Sequence, residues 1–385
     1  GLKMVALGLV PDLTAKAART AASNAGAKVV KTFAYEISGS EQQEIYDINP
    51  DLVLLCGGTD GGNKEVIISN AKHLVAIDRP FTTIVAGNKS ANDDIKAIFN
   101  EAGKDVVITE NVMPQFNKLN IEPARDAIRQ LFISRIIEAK GLNILQAMTP
   151  YKIIPTPLAV LHACELLSKG TKTQQGRGDL LAVDIGGATT DVYSMASGEP
   201  TVDNTMLKGL PEPWMKRTVE GDLGMRYSLT HVYEQIPGAD NPENEYMQQV
   251  KAWVELCTAR PDTLAAPGSE EEKLEEFLGR SAVSMAVERH CGRIADVFTP
   301  LGLMHTQEGK DLMNVPSVIG IGGVLRNSRR PEEILKGSLY DFMHPECTKP
   351  RKPKFYLDQK YIFASMGLLR SINPELAFEL LDKET

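Results

Sequence analysis

The 385-residue sequence predicts an α/β protein, and three observations carry that expectation. Residues 1 to about 110 alternate short apolar strands with helical stretches, the rhythm of parallel βαβ units. The apolar run Leu180 to Ile185 enters a glycine turn with a carboxylate at each end. A second apolar strand, Val315 to Ile321, runs into Gly322-Gly323.

In chain order, Val5 to Leu9 reads as a strand, Leu13 to Asn24 as helical, Lys28 to Phe33 and Asp51 to Cys56 as strands, Lys64 to Leu74 as a helix and Thr83 to Ala86 as a strand. Ligands of parallel sheets gather after strand carboxyl ends, where Gly57-Gly58-Thr59-Asp60-Gly61-Gly62-Asn63 falls, just before a helix. That loop reads equally as a phosphate cradle or as a flexible connection with Asn63 as N-cap, and a partner-docking surface is a further reading. Residues 121–148 form a long helical stretch, with Ile121, Ala124, Ile128, Leu131, Phe132, Ile136 and Ile137 spaced as a core face.

Thr156-Pro157 starts a helix, with a threonine cap and a proline in the first turn, that ends at Lys169-Gly170. The expected division is 1–150 and 151–385, with a charged insertion at about 205–280. In that insertion Pro261 to Glu276 reads as an exposed turn and an acidic helix with a solvated face. Ser281 to Phe298 reads as a helix, and Ala364 to Leu369 opens a final one.

The run Asp184-Ile185-Gly186-Gly187-Ala188-Thr189-Thr190-Asp191 has the composition of a nucleotide-phosphate site, and it points to ATP. Glycine lacks a Cβ, so Gly186 and Gly187 let backbone N–H groups approach phosphate oxygens. Thr189 and Thr190 add hydroxyl donors. Asp184 and Asp191 are the candidate catalytic carboxylates and could hold a hydrated Mg²⁺ through water. A β-hairpin with a Gly-Gly turn and two solvated aspartates is the structural alternative. Glu220 and Asp222, in the glycine loop Val219 to Gly224, could also face a nucleotide, or could be acidic turn residues.

Net charge of -8 and a pI near 5.5 argue against nucleic acid as partner. No run reaches the roughly 18 to 20 apolar residues of a membrane span. Hydrophobic content of 43% with 24% charged residues is ordinary globular composition. Five scattered cysteines, Cys56, Cys164, Cys257, Cys291 and Cys347, fit thiols in a reducing cytoplasm. His290-Cys291 and His162 with Cys164 lack the partners that four-coordination needs.

The order of these segments resembles the second half of the ATPase fold shared by actin, sugar kinases and the seventy-kilodalton heat-shock chaperones, a duplicated, ribonuclease H-like fold. The resemblance implies phosphate and metal-water roles for Asp184, Gly186, Gly187, Thr189 and Asp191. It implies adenosine contacts for Gly322, Gly323 and Arg326, and an interlobe helix with Ala364 and Gly367. Glu288 and Arg293 would lie against the ribose. Ala188 stands where the chaperones usually carry a third glycine.

The segments Leu54 to Glu65, Arg217 to Arg226 and Gly1 to Val10, with the phosphate loop, resemble the glutamate mutase L family, also written GlmL or MutL, along essentially the whole chain. The resemblance implies an ATP-dependent reactivating factor, a chaperone that exchanges damaged cobalamin out of adenosylcobalamin-dependent mutase subunits, with ATP/ADP and Mg²⁺ as cofactors. The Gly57 to Asn63 loop could then take a cobalamin phosphate tail. Residues 1–150 would be the remainder of a first lobe with an inserted Rossmann-like βαβ subdomain.

No D-x-G-x-T phosphate loop precedes Asp184, so the expectation is an N-terminally truncated chain that binds nucleotide poorly and hydrolyses it slowly or not at all. The alternatives are a small-molecule kinase of the same fold and a non-catalytic nucleotide-binding scaffold; a homo-oligomer is left open.

Overall fold

The computed structural model describes residues 3–15, 17–18, 21–22, 28–139, 143–151, 153–209, 212–239, 241–300 and 302–385. The chain divides into two compact units, one of Gly1–Pro155 with Gly209–Pro211, the other of Thr156–Lys208 with Glu212–Thr385. Both are mixed α/β.

The first unit is built on a parallel sheet of β1 (Lys3–Gly8), β2 (Lys28–Ala34), β3 (Leu52–Leu55), β4 (Thr82–Val85) and β5 (Val106–Ile108), in the order β2-β1-β3-β4-β5. Parallel strands are buried on both faces, which is why β3 is apolar throughout and β4 is buried at every position, its Thr82 and Thr83 included. One face packs Met4, Ala6, Leu54 and Ile84 against Ala17, Ala21, Ile121, Ala124 and Ile128. The other packs Val5, Leu7, Val53 and Val85 against Ile67, Leu74, Ile95 and Phe99.

Helices Gly39–Ile48 and Asn92–Glu101 were not anticipated from the sequence, although Ser38 and Glu41 form a capping box that marks the first of them. The expected helix at Leu13 to Asn24 falls partly outside the described residues; Pro11–Ala15 is a π-helical turn that overlaps its start, and residues 17–18 and 21–22 are helical. The stretch 121–148 forms two helices, Glu122–Ala139 and Asn143–Ala147, and residues 140–142 lie outside the described set, as do the side chains of Phe132, Ile136 and Ile137.

The loop Gly57 to Asn63 is pinned rather than flexible. Asn88 Oδ1 accepts from Gly61 N–H at 3.1 Å, and its amide donates to the Gly62 and Asn63 carbonyls. Asn111 Nδ2 donates to the Gly58 carbonyl and to Asp60 Oδ1, both at 3.0 Å. The helix that follows starts at Glu65, and Asn63 Oδ1 accepts from Val66 N–H at 3.4 Å.

The second unit centres on a sheet of β6 (Leu180–Ile185), β7 (Thr190–Met195), β9 (Met215–Glu220), β12 (Ser317–Ile321) and β13 (Lys354–Leu357), in the order β13-β12-β6-β7-β9. Strands β6, β7 and β9 form an antiparallel meander, while β12 runs parallel to β6 and β13 parallel to β12. One face of this sheet meets helix Glu270–His290, whose Leu274, Leu278, Ala282, Ala286 and Val287 recur at helical spacing.

The expected insertion at 205–280 is not one piece. Strand β8 (Thr205–Lys208) joins β10 (Arg293–Thr299) and β11 (Gly302–Glu308) in a small sheet, whereas β9 belongs to the main one. The helix expected at Ser281 to Phe298 ends at His290. Ile294, Val297, Phe298 and Thr299 are β-branched or aromatic, and they pair with β11. His290 is buried between the hydroxyls of Ser194 and Thr218, each 2.8 Å away, so its ring is a structural strut. All five cysteines are free thiols, and all are buried. Among the described residues no helix is long and apolar enough to cross a membrane.

Helix Thr156–Lys169 packs on helix Phe363–Leu369, and Gly367 is the point of closest approach. A Cβ there would lie 1.8 Å from the Ala159 carbonyl oxygen. Gly367→Ala is therefore expected to cost about 1–3 kcal/mol of unfolding free energy by overpacking. A urea midpoint unchanged from the parent would contradict that close crossing.

Candidate functional site

The chain leaves β6 at Ile185 and returns in β7 at Thr190, and the register sets Asp184 directly opposite Asp191. The turn is closed by Gly186 N–H donating to the Thr189 carbonyl at 2.9 Å. Neither Gly186 nor Gly187 has a positive φ, but a Cβ on Gly186 would press the Thr189 carbonyl oxygen at 3.1 Å, so the turn favours glycine there. A Cβ at Gly187 would meet Arg226 and Tyr227 at 3.7–3.8 Å, an ordinary contact. What glycine does here is leave backbone uncovered on a cavity wall.

The two aspartates differ in their surroundings. Asp191 Oδ1 accepts from Arg217 Nε at 2.9 Å and from Nη2 at 2.5 Å, and its Oδ2 accepts from Thr189 Oγ1 at 3.2 Å. Arg217 is buried on β9, two residues from Val219, the strand partner of Asp191. Asp184 is pushed up to about 7, chiefly by burial and then by the Asp191 charge, against the pull of Arg217. Thr190 is fully buried and its hydroxyl donates to the Leu223 carbonyl at 2.5 Å, so it braces the turn instead of facing the cavity.

Strand β12 brings in the second pair of glycines. Ile321 sits opposite Asp184, which delivers Gly322 to the turn. Gly322 has a φ of 109°, and a Cβ on it would lie 2.3 Å from the Ile185 carbonyl oxygen and 3.0 Å from Asp184 Oδ1, so only glycine fits. Gly323 follows as the first residue of helix Gly323–Asn327. Arg326 is exposed on that helix.

A cavity of about 610 Å³ opens where these ends meet, within the range of small-molecule sites. Gly186, Gly187 and Gly323 line it, with apolar walls from Met225, Leu264, Pro267, Val324 and Ile334. Its polar lining is Arg226, Glu272, Glu275, Glu276, Asn327, Ser328 and Tyr361. None of these seven is marked as a site residue by sequence pattern alone.

A signal for the three glutamates was present: positions 272, 275 and 276 share one face of a helix. They are not a solvated face, because each is paired with arginine. Glu272 takes Arg329, Glu275 takes Arg226 at 2.6 Å, and the buried Glu276 takes Arg330. Other expected contacts fall elsewhere. Glu220 and Asp222 both accept from Arg289, at 2.6 and 2.8 Å, and line no part of the cavity. Glu288 pairs with Arg293 of β10, which also reaches Glu346, so neither stands against a ribose in this cavity.

The donor set can be tested against Mg²⁺. Among the described residues no three His, Cys, Asp or Glu side chains come together as a cage. With Asp191 taken by Arg217 and Thr189, the remaining carboxylate of Asp184 fits a hard cation that keeps several waters and draws its other oxygens from phosphates.

A family model described as MutL protein matches residues 1–385. Protein MutL of Clostridium tetanomorphum is 46% identical over 386 residues, covering 100% of this chain and 83% of that protein. Among solved structures, a short-chain flavodoxin associated with a non-canonical PDU bacterial microcompartment aligns at a TM-score of 0.26 and 15% identity, over 34% of this chain and 97% of its own. Nucleotide-free acetone carboxylase aligns at 0.30 and 13%, over 96% of this chain and 58% of its own. At such scores neither likeness informs fold or function.

The raised carboxyl of Asp184 has a consequence for stability. Its ordinary value is 3.8, so between pH 3.8 and 7 the folded protein keeps a proton that the unfolded chain releases. Stability therefore falls as pH rises through that window. Asp184→Asn cannot ionise, and without nucleotide or Mg²⁺ it is expected to melt on the order of 2 °C above the parent at pH 8. The two should melt together near pH 4. Calorimetry that finds no gain at pH 8 would refute the burial-driven shift.

Proposed function

This chain belongs to the MutL family, and on that premise we propose that it is an ATP-dependent reactivating factor for an adenosylcobalamin-dependent mutase, such as glutamate mutase or an aminomutase. It acts as a cytoplasmic chaperone, exchanging damaged cobalamin out of the mutase subunits. The observation that carries the nucleotide part is the convergence of the glycine ends of β6 and β12 on one cavity, with Asp184 beside Gly322. The meander β9-β7-β6, extended by parallel β12 and β13, supports reading this unit as one actin-like lobe. The parallel sheet of the first unit is read as the inserted subdomain.

In this reading Gly186, Gly187 and Thr189 meet the phosphates of ATP or ADP, and Gly323 borders the adenosine. Asp184 orients water on Mg²⁺, which when bound neutralises phosphate charge. Asp191, held by Arg217, keeps Thr189 in place. That ion pair also weighs against Asp191, one of the two candidate catalytic carboxylates, serving as the base that a small-molecule kinase needs, because its carboxylate is already engaged.

The test is ATP and ADP binding by calorimetry with Mg²⁺, followed by ATP turnover with and without a mutase carrying inactivated cobalamin. Slow basal hydrolysis that the mutase stimulates is expected, and Asp184→Ala should lower it on the order of 100-fold. Turnover that requires a small-molecule acceptor would make the protein a kinase. Failure to bind either nucleotide would leave the scaffold reading.

A further inference from the structure

We propose that Arg226 is a positioning residue that ties occupancy of the cavity to the conformation of the turn Gly186–Thr189. This rests on the nucleotide reading above and deepens it. The residue reaches both places at once. Its backbone N–H donates to the Gly187 carbonyl at 2.8 Å, while its guanidinium lies in the cavity wall.

The backbone side is a strap of residues 223–228 laid along the turn. Met225 N–H donates to the Gly186 carbonyl at 3.0 Å, Tyr227 N–H shares the Gly187 carbonyl at 2.8 Å, and Ser228 Oγ donates to the Ala188 carbonyl at 3.0 Å. From the turn, Thr190 Oγ1 returns a bond to the Leu223 carbonyl. Gly224 lets the two segments touch, since a Cβ there would lie 2.2 Å from the Ala188 carbonyl carbon. Strap and turn share so many bonds that one cannot shift without the other.

The side-chain side crosses to the long helix. Arg226 Nη2 donates to Glu275 Oε1 at 2.6 Å and to the Thr263 carbonyl at 3.0 Å, and Nη1 donates to the Met225 carbonyl at 2.7 Å. Both Arg226 and Glu275 line the cavity and both are partly open to it. A ligand that fills the cavity displaces water from this pair, and an ion pair strengthens as its surroundings lose dielectric. A tighter pair holds the strap, and through the strap the turn. Binding at the adenosine end thereby preorganises the phosphate end.

Adenosine itself is the discriminating probe, because it carries no phosphate and cannot reach the turn through one. Hydrogen exchange of the 186–191 amides is read at saturating adenosine, with binding followed separately by calorimetry. In the parent protein, exchange of these amides is expected to slow on the order of fivefold or more. In Arg226→Gln and in Glu275→Gln, saturating adenosine should leave it unslowed. Glu275→Gln breaks the same pair from the helix side with every strap bond intact, so it answers even if Arg226→Gln fails to fold. Adenosine that binds the parent without slowing the turn overturns this inference and leaves the nucleotide reading standing. Slowing that persists in both variants removes Arg226 from the route. No adenosine binding at all overturns both readings.

Discussion

Asp184 and Asp191 face each other on neighbouring strands, and two carboxylates in that relation repel strongly once they are withdrawn from water. The second unit absorbs the repulsion asymmetrically. Arg217, supplied by the next strand of the meander, takes Asp191 as a buried ion pair, and breaking such a pair from one side typically costs about 3–5 kcal/mol. Asp184 is left as the group whose charge burial and the Asp191 carboxylate disfavour. The antiparallel register of β6, β7 and β9 is what makes this arrangement possible, since it sets Arg217 one diagonal step from Asp191.

Around that centre the glycines divide into two kinds. Gly322 and Gly224 are required by geometry, one beside the Ile185 carbonyl and the other against Ala188. Gly186 is favoured by the Thr189 carbonyl oxygen 3.1 Å from where its Cβ would lie, whereas Gly187 is under no such constraint and contributes the space it leaves on the cavity wall. The arginine and glutamate pairs on helix Glu270–His290 complete the wall opposite the turn. The run of acid that opens this helix thus has two effects: it complements the positive helix N-terminus, and it supplies the arginine partners that close the cavity.

The first unit shows the opposite outcome for a glycine-rich segment. The loop after β3 has the composition of a phosphate cradle, yet Asn88 and Asn111 take up the Gly61 amide, the Gly58, Gly62 and Asn63 carbonyls and the Asp60 carboxylate. With those groups bonded within the protein, the structural reading of the loop is the stronger. Composition alone could not separate the two loops, because the deciding asparagines lie more than twenty positions downstream.

The α/β class and the strands that enter the two glycine turns were legible in the sequence, whereas a role for Gly367 entered only through the resemblance to the actin-like fold. The legible features depend on local chemistry: apolar runs, the absence of a Cβ, helical spacing. Boundaries that depend on pairing were not legible, as with β10, whose β-branched and aromatic residues leave helix and strand both open until pairing with β11 decides for the strand. The site followed the same division. Asp184, Asp191 and the glycines announce themselves by type and spacing. That Arg217 claims one aspartate, that Thr190 turns inward, and that Arg226 and the glutamates form the wall were decided by strand register and by which helix face meets the sheet. Contacts between residues dozens of positions apart arise only when the chain closes its core, so tertiary structure alone assigned them.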